Sequence, residues 1–152
     1  MTVYIGSDHN GYEAKKDLID LLRKDGYDVV DKGPFEYDPA DDYPDFAFSV
    51  AEAVASDPDS KGILICGSGG GVTVAANKVK GIRAVYAESA EHAKALRTDD
   101  DANIIILDQL TYSLENDATI VQTFLNTPFS QEERHIRRIS KISKYESEHY
   151  QN

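Results

Sequence analysis

The sequence lacks several features that are typical of secreted and membrane proteins. It has a single cysteine in 152 residues, so no internal disulfide can form, which fits a reducing compartment. It contains no apolar run of about 18 residues, the length expected of a membrane-spanning helix. Its first residues, MTVYIGSDH, have neither the basic region nor the long apolar core of a secretory signal. We therefore expect a cytoplasmic protein.

Basic residues are also scarce. The chain has 16 Lys and Arg against 27 Asp and Glu, which gives a formal net charge of -11. This charge disfavours nucleic acid or an acidic membrane as a partner, because both carry negative phosphates. An anionic small substrate would need a local basic site. The length predicts one domain over residues 1–152.

Short apolar runs alternate with amphipathic stretches along the chain. Runs rich in β-branched residues predict strands over residues 3–8, 27–32, 62–67, 83–87 and 103–108. Apolar residues at helical spacing predict helices over residues 11–25, 43–55, 89–97 and 114–125. The central strands are nearly continuous apolar runs, which is typical of parallel strands covered on both faces. The alternation therefore predicts an α/β fold with a doubly wound, mostly parallel, five-stranded sheet.

The end of the chain has a helical pattern with no strand after it. We predict a C-terminal helix over residues 130–150, with Ser130 and Glu133 forming a capping box at its start. A helix without a following strand can pack outside the main layers, and a partner subunit is its predicted neighbour.

The stretch ILICGSGGGVTVAANK, residues 63–78, holds the only cysteine. Cys66 ends an apolar run and is followed by Gly67, Ser68, Gly69, Gly70 and Gly71. The spacing excludes a dinucleotide fingerprint, a P-loop and a nucleophile elbow. A papain-type site fails as well, because its histidine would lie beyond the chain end.

Two interpretations of this stretch remain. In the first, the loop is a nest of backbone N–H groups that leads into a helix and binds an oxyanion or phosphate. The thiol of Cys66 beside it would then act as a base or nucleophile. In the second, Cys66 is a buried structural residue before a tight turn.

Four stretches together resemble the type B ribose-5-phosphate isomerases, which are grouped with the galactose-6-phosphate isomerase subunits. They are GSDHNGYEAK, DDYPDFA, ILICGSGGGVTVAANKVKGIRA and ERHIRRI, in the family's order and over nearly the whole chain. The resemblance implies a Rossmann-like, three-layer fold and a homodimer or homotetramer with sites between subunits. It also implies aldose–ketose isomerisation of a sugar phosphate, with ribose 5-phosphate expected, through an enediolate and without a metal or cofactor.

The resemblance also implies roles for individual residues. Cys66 would move a proton between C1 and C2, and the N–H groups of residues 67–71 would bind the enediolate oxygen. Asp8 would bind sugar hydroxyls or shuttle protons, and Tyr43 would form a wall of the site. Taken singly, Asp8 also fits a turn cap and Tyr43 a core residue.

A phosphate clamp is implied by the same resemblance. Its members would be His9, Arg134 and Arg138, and the two arginines lie four residues apart on one helix face. A pair of arginines on a helix also fits a solvated surface or a salt bridge.

The sequence departs from the family pattern at two places. TDDDAN has Asp99 and Asp100 where the family has a ring-opening histidine and an asparagine, while Asn103 is kept and expected to bind substrate. Asp99 is expected at the catalytic position of that histidine. Leu110 stands where an arginine is usual. An alternative function is therefore a subunit of a heteromeric galactose-6-phosphate type isomerase, or a non-catalytic sugar-phosphate-binding paralogue.

Overall fold

One sheet of five parallel strands organises the protein. The computed structural model describes residues 1–150, so residues 151–152 of the predicted domain lie outside the described part. The strands are β1 Thr2–Ser7, β2 Asp28–Asp31, β3 Lys61–Cys66, β4 Ala84–Tyr86 and β5 Ile104–Asp108, in the order β2-β1-β3-β5-β4. Every neighbouring pair is parallel, which confirms the predicted parallel sheet.

Helices cover both faces of this sheet. They are α1 Tyr12–Lys24, α2 Tyr43–Ser56, α3 Gly70–Ala76, α4 Ala90–Asp100, α5 Leu114–Asn126 and α6 Glu133–His149. Buried residues of α1, α4 and α5 form the core on one face, and those of α2 and α3 form the core on the other. The predicted three-layer, Rossmann-like α/β fold is confirmed. Within residues 1–150, no helix combines the length and the apolar character needed to cross a membrane.

The apolar runs of the central strands follow from this double cover. In β3, Ile63 and Ile65 face one core, whereas Leu64 and Cys66 face the other. Because both faces are buried, alternation with polar residues is lost and the strand is apolar throughout.

The strand order brings two predicted site residues together. β1 lies between β2 and β3, so the chain reverses direction across the sheet at β1, and ligands of such folds bind at the carboxyl ends of the strands there. Asp8 directly follows β1, and Cys66 is the last residue of β3. The backbone N–H of Asp8 donates to the carbonyl of Ile65 at 3.3 Å.

The start of α6 differs from the prediction. The helix begins at Glu133 with Glu132 as its N-cap, and no side chain caps it. Gln131 has a φ of 57°, so the chain turns sharply after Ser130, whose hydroxyl accepts from the N–H of Glu132 at 3.4 Å. The predicted capping box was wrong because this turn moves Ser130 away from the helix end.

Candidate active site

The glycine loop, residues 67–71, presents backbone donors beside Cys66. Within residues 1–150, the N–H groups of Gly67, Ser68 and Gly69 have no hydrogen-bond acceptor, while the Cys66 thiol beside them is buried. Gly69 has a φ of 77°, the left-handed conformation that favours glycine. The helix that follows, α3, has only 7 residues, so binding of an anion depends on individual N–H groups more than on a helix dipole.

Tyr43 lies directly against this loop. A Cβ atom on Gly71 would be 2.6 Å from Cζ of the Tyr43 ring, so only glycine allows this approach. Tyr43 is the first residue of α2 and is 40% exposed, so it is a surface residue beside the loop rather than a core residue. Its expected role as a wall of the site stays a prediction.

Asp8 caps a 3-10 turn formed by residues His9–Gly11. Its Oδ1 accepts from the N–H groups of Asn10 at 3.0 Å and Gly11 at 3.2 Å, and its Oδ2 accepts from Nδ2 of Asn10 at 3.1 Å. Asn10 in turn lies against Gly67, since a Cβ there would be 3.4 Å from Nδ2. The turn-cap interpretation of Asp8 is therefore correct, and the cap also connects Asp8 to the start of the glycine loop.

His9 is paired with Asp41. Oδ1 of Asp41 lies 2.7 Å from Nδ1 of His9 and also accepts from the His9 backbone N–H at 3.1 Å. This side-chain hydrogen bond, with the nearby carboxylates, raises the pKa of His9 above its ordinary value. A carboxylate that favours the cationic form of a histidine makes it better suited to bind a phosphate. Sequence reasoning gave Asp41 no role beyond its place in the DDYPDFA stretch.

A second carboxylate beside Cys66 was missed from the sequence. Asp108 ends β5 and is the register partner of Cys66. Its carboxylate accepts from the hydroxyl of Tyr86, from the N–H of Thr111 at 2.8 Å and from the Thr111 hydroxyl at 3.1 Å. Burial raises the pKa of Asp108, but these hydrogen bonds outweigh it and lower the pKa below its ordinary value. No local sequence signal predicts this cluster, because it depends on β4 and β5 being neighbours.

A buried carboxyl group of α5 lies close to this cluster. Asp117 is 5% exposed, and its Oδ2 has no hydrogen-bond partner within residues 1–150. Burial, together with the negative charge of Asp108, raises the pKa of Asp117 to about 6. Asp117 therefore titrates close to the physiological range.

The remaining predicted residues form a separate group on α4 and α6. Asp99 Oδ1 lies 3.6 Å from Nε2 of His135, and Arg134 Nε donates to Oε2 of Glu132 at 2.8 Å. Arg138 lines a cavity of about 380 Å³ with Arg83, the residue before β4. This cavity lies at the amino end of β4, whereas Cys66 lies at the carboxyl end of the sheet.

Asn103 also lies away from Cys66. It directly precedes β5 and is level with the start of β3, so five residues of strand, about 16 Å, separate it from Cys66 along the sheet. Its Oδ1 accepts from the N–H of Arg83 at 2.8 Å, and its Nδ2 donates to the carbonyl of Gly81 at 2.8 Å. The side chain thus joins the starts of β4 and β5, and its expected contact with substrate stays a prediction.

Two further features complete the geometry. Leu110 follows β5 and is 81% exposed, so its side chain supplies an apolar surface and no hydrogen-bond donor. Among the described residues, no three His, Cys, Asp or Glu side chains are grouped as a metal site.

Comparisons with known proteins agree over nearly the whole chain. The family model described as "Ribose/Galactose Isomerase" matches residues 3–142. Ribose-5-phosphate isomerase B of Mycobacterium leprae is 40% identical over 149 residues, which are 98% of this chain and 92% of that protein. The probable ribose-5-phosphate isomerase B of Mycoplasma pneumoniae is 44% identical over 146 residues, with 96% and 95% covered.

Solved structures match equally well. Ribose-5-phosphate isomerase B from Mycoplasma genitalium, with bound ribulose 5-phosphate, superimposes with a TM-score of 0.92 at 44% identity, covering 97% of each chain. Type B ribose 5-phosphate isomerase from Trypanosoma cruzi gives a TM-score of 0.92 at 42% identity, covering 98% of this chain and 100% of that one.

Proposed function

Because the chain belongs to the ribose/galactose isomerase family, we propose that it interconverts ribose 5-phosphate and ribulose 5-phosphate. The observation that carries this proposal is the junction of Cys66 with the glycine loop. A buried thiol, the only one in the chain, lies beside three N–H groups that have no acceptor within residues 1–150. A base next to unpaired donors is the arrangement that proton transfer through an oxyanion needs.

The proton moves in two steps. The Cys66 thiolate takes the C2 proton of the open-chain aldose, the C–H electrons form the C1–C2 double bond, and the carbonyl oxygen on C1 becomes negative. The N–H groups of Gly67, Ser68 and Gly69 stabilise that oxygen. Asp8 passes the O2 proton to O1, C2 becomes the carbonyl carbon, and the Cys66 thiol returns its proton to C1.

The phosphate clamp requires a second copy of the chain. Within one chain, His9 lies at the carboxyl end of the sheet with Cys66, whereas Arg138 lies at the amino end. We therefore propose a homodimer, or a tetramer of two dimers, in which α6 of one protomer brings Arg134 and Arg138 to the partner's site. A two-fold axis makes both sites equivalent.

Apolar side chains on α6 support this packing. Ile142 is 51% exposed and Tyr145 is 59% exposed, and both line the cavity that also contains Arg138. An exposed apolar helix face of this kind favours burial against another chain. Domain 1–152 would then be a single isomerase unit whose residues 130–150 pack on its partner.

Asp99 would reach the same shared site, because it lies with the α6 residues. An aspartate side chain lacks the imidazole N–H that a histidine at this position would offer to the ring oxygen. We therefore expect the enzyme to use open-chain substrate more readily than the furanose ring.

Replacement of Cys66 tests the proposal. With purified protein and ribose 5-phosphate, Cys66→Ala should lower kcat by about 10²- to 10⁴-fold, while the affinity for a sugar-phosphate inhibitor should remain unchanged. Near-wild-type turnover by Cys66→Ala would overturn the assignment. If Cys66 were only structural, the melting temperature would fall and the activity per folded molecule would not change.

Leu110 and Asp99 support a second candidate, a subunit of a heteromeric isomerase, because the site offers one cation fewer than expected. The same assay with galactose 6-phosphate and allose 6-phosphate distinguishes the two. A homo-oligomer that binds these sugars but turns over none of them would favour the heteromeric subunit.

A further inference from the structure

The glycine loop lies between two tyrosine rings. Tyr43 packs on Gly71, as described above, and Tyr86 packs on Gly69 from β4. A Cβ atom on Gly69 would lie 3.2 Å from Cδ2 of the Tyr86 ring. Since Gly69 carries the left-handed φ that turns the loop into α3, the Tyr86 ring lies against the residue that decides where the loop N–H groups point.

The orientation of Tyr86 is fixed by Asp108. The Tyr86 hydroxyl donates to Oδ2 of Asp108, and Thr111 holds the same carboxylate through its N–H and its hydroxyl. The hydrogen bond to Asp108, with burial and the carboxylate charge, raises the pKa of Tyr86 to about 12. Across the neutral range Tyr86 therefore remains a donor and Asp108 an acceptor.

The same strand end also holds the start of the loop. Asp108 pairs in register with Cys66, and the N–H of Gln109, the next residue, donates to the carbonyls of Cys66 and Gly67 at 3.0 Å each. The end of β5 therefore acts on the loop at two points, directly at Cys66 and Gly67 and through Tyr86 at Gly69.

We propose that Tyr86 and Asp108 form a positioning pair that fixes the Gly69 turn, and with it the direction of the loop N–H groups beside Cys66. Hydrogen bonds from Tyr86 and Thr111 to both Asp108 oxygens hold the carboxylate in place, and the pair acts through the loop. The proposal rests on the proposed function in one respect, namely that these N–H groups bind the enediolate oxygen.

Two conservative variants separate positioning from general stability. Tyr86→Phe keeps the ring and removes the hydroxyl. Asp108→Asn removes the charge; its amide oxygen can accept from the Thr111 N–H, which turns its NH2 group to donate to the Tyr86 hydroxyl. Tyr112→Phe is the matched control, because the Tyr112 hydroxyl also donates to an aspartate, Asp17 at 3.2 Å, on a different part of the surface.

Two measurements are made on each full-length variant. The first is the backbone order parameter of Gly69 from ¹⁵N relaxation of the ligand-free protein. The second is the ratio of affinities for a hydroxamate analogue of the enediolate and for the matching alditol phosphate. A positioning role predicts that Tyr86→Phe lowers the order parameter from about 0.85 towards about 0.6 and weakens hydroxamate binding by about tenfold, with alditol binding unchanged.

Asp108→Asn should retain most of both properties, since a hydrogen bond to the Tyr86 hydroxyl remains with its direction reversed, and Tyr112→Phe should match the wild type. The proposal is overturned if Tyr86→Phe cannot be distinguished from Tyr112→Phe in either measurement. If the wild type binds neither analogue, the proposed function fails, and the order parameters alone decide whether the pair positions the loop.

Discussion

The contact between Gly71 and Tyr43 can be broken by adding one methyl group. In Gly71→Ala the new Cβ would lie 2.6 Å from Cζ, 2.8 Å from Cε2 and 2.9 Å from Cε1 of Tyr43, so the ring must move. Tyr43 is 40% exposed and can swing outward, so we expect a stability loss of only about 1 to 2 kcal/mol.

Substrate binding should weaken by a similar free energy. Losing one wall of the cleft removes contact worth about 1 to 2 kcal/mol, which would raise KM for ribose 5-phosphate by about 5- to 30-fold. Gly70→Ala is the control, because its Cβ meets only Oγ of Ser68, at 3.6 Å, and alanine there should stabilise by about 0.4 to 1 kcal/mol. Urea unfolding and steady-state kinetics measure both quantities.

A double-mutant cycle tests the mechanism of this effect. If Gly71→Ala acts by displacing Tyr43, it should change KM little when Tyr43→Ala is already present. Full additivity of the two KM changes would show that the added methyl group disturbs the loop itself and does not act by displacing Tyr43.

Three further predictions concern Asp117, His9 and Asp99. The pKa of Asp117 is about 6 in the folded protein, so wild-type stability should fall as pH rises from about 4 to about 6. Asp117→Asn should therefore stabilise the protein by up to about 3 kcal/mol above pH 6 and have no such effect below about pH 4. Urea unfolding at several pH values measures this, and a difference from wild type that does not change with pH would contradict it. His9 has a raised pKa, so phosphate affinity should fall as pH rises through it, and Asp41→Asn should move that fall to lower pH in calorimetric titrations. Asp99→His should raise kcat/KM for the furanose phosphate without changing the affinity for an open-chain inhibitor; lower activity on every sugar phosphate would show that Asp99 suits another substrate.

The sheet and its helices were predictable because each leaves a local pattern. Strands buried on both faces must be continuously apolar, and helices that cover them must be amphipathic, so their alternation indicates the fold. The boundaries of the predicted elements moved by at most three residues, whereas α3 had no predicted range and the expected cap of α6 by Ser130 and Glu133 did not form.

The contacts that shape the site could not be predicted in this way. Tyr86 and Asp108 are 22 residues apart, and they meet only because β5 lies between β3 and β4 in the sheet. The neighbours of Asn103 could not be predicted from the sequence either. It was grouped with the site by resemblance, and it lies at the amino end of the sheet, where its side chain is hydrogen-bonded to Arg83 and Gly81. Its contact with substrate stays a prediction.

In the proposed dimer, Cys66 of one protomer and Arg138 of the other complete one isomerase site. Cys66→Ala and Arg138→Ala should each be nearly inactive at low ribose 5-phosphate concentration. When differently tagged chains of the two variants are refolded together, about half the dimers are mixed and each mixed dimer has one intact site, so about a quarter of wild-type activity should return. If mixed dimers form, as shown by their tags, but recover no activity, Cys66 and Arg138 of different protomers do not share a site.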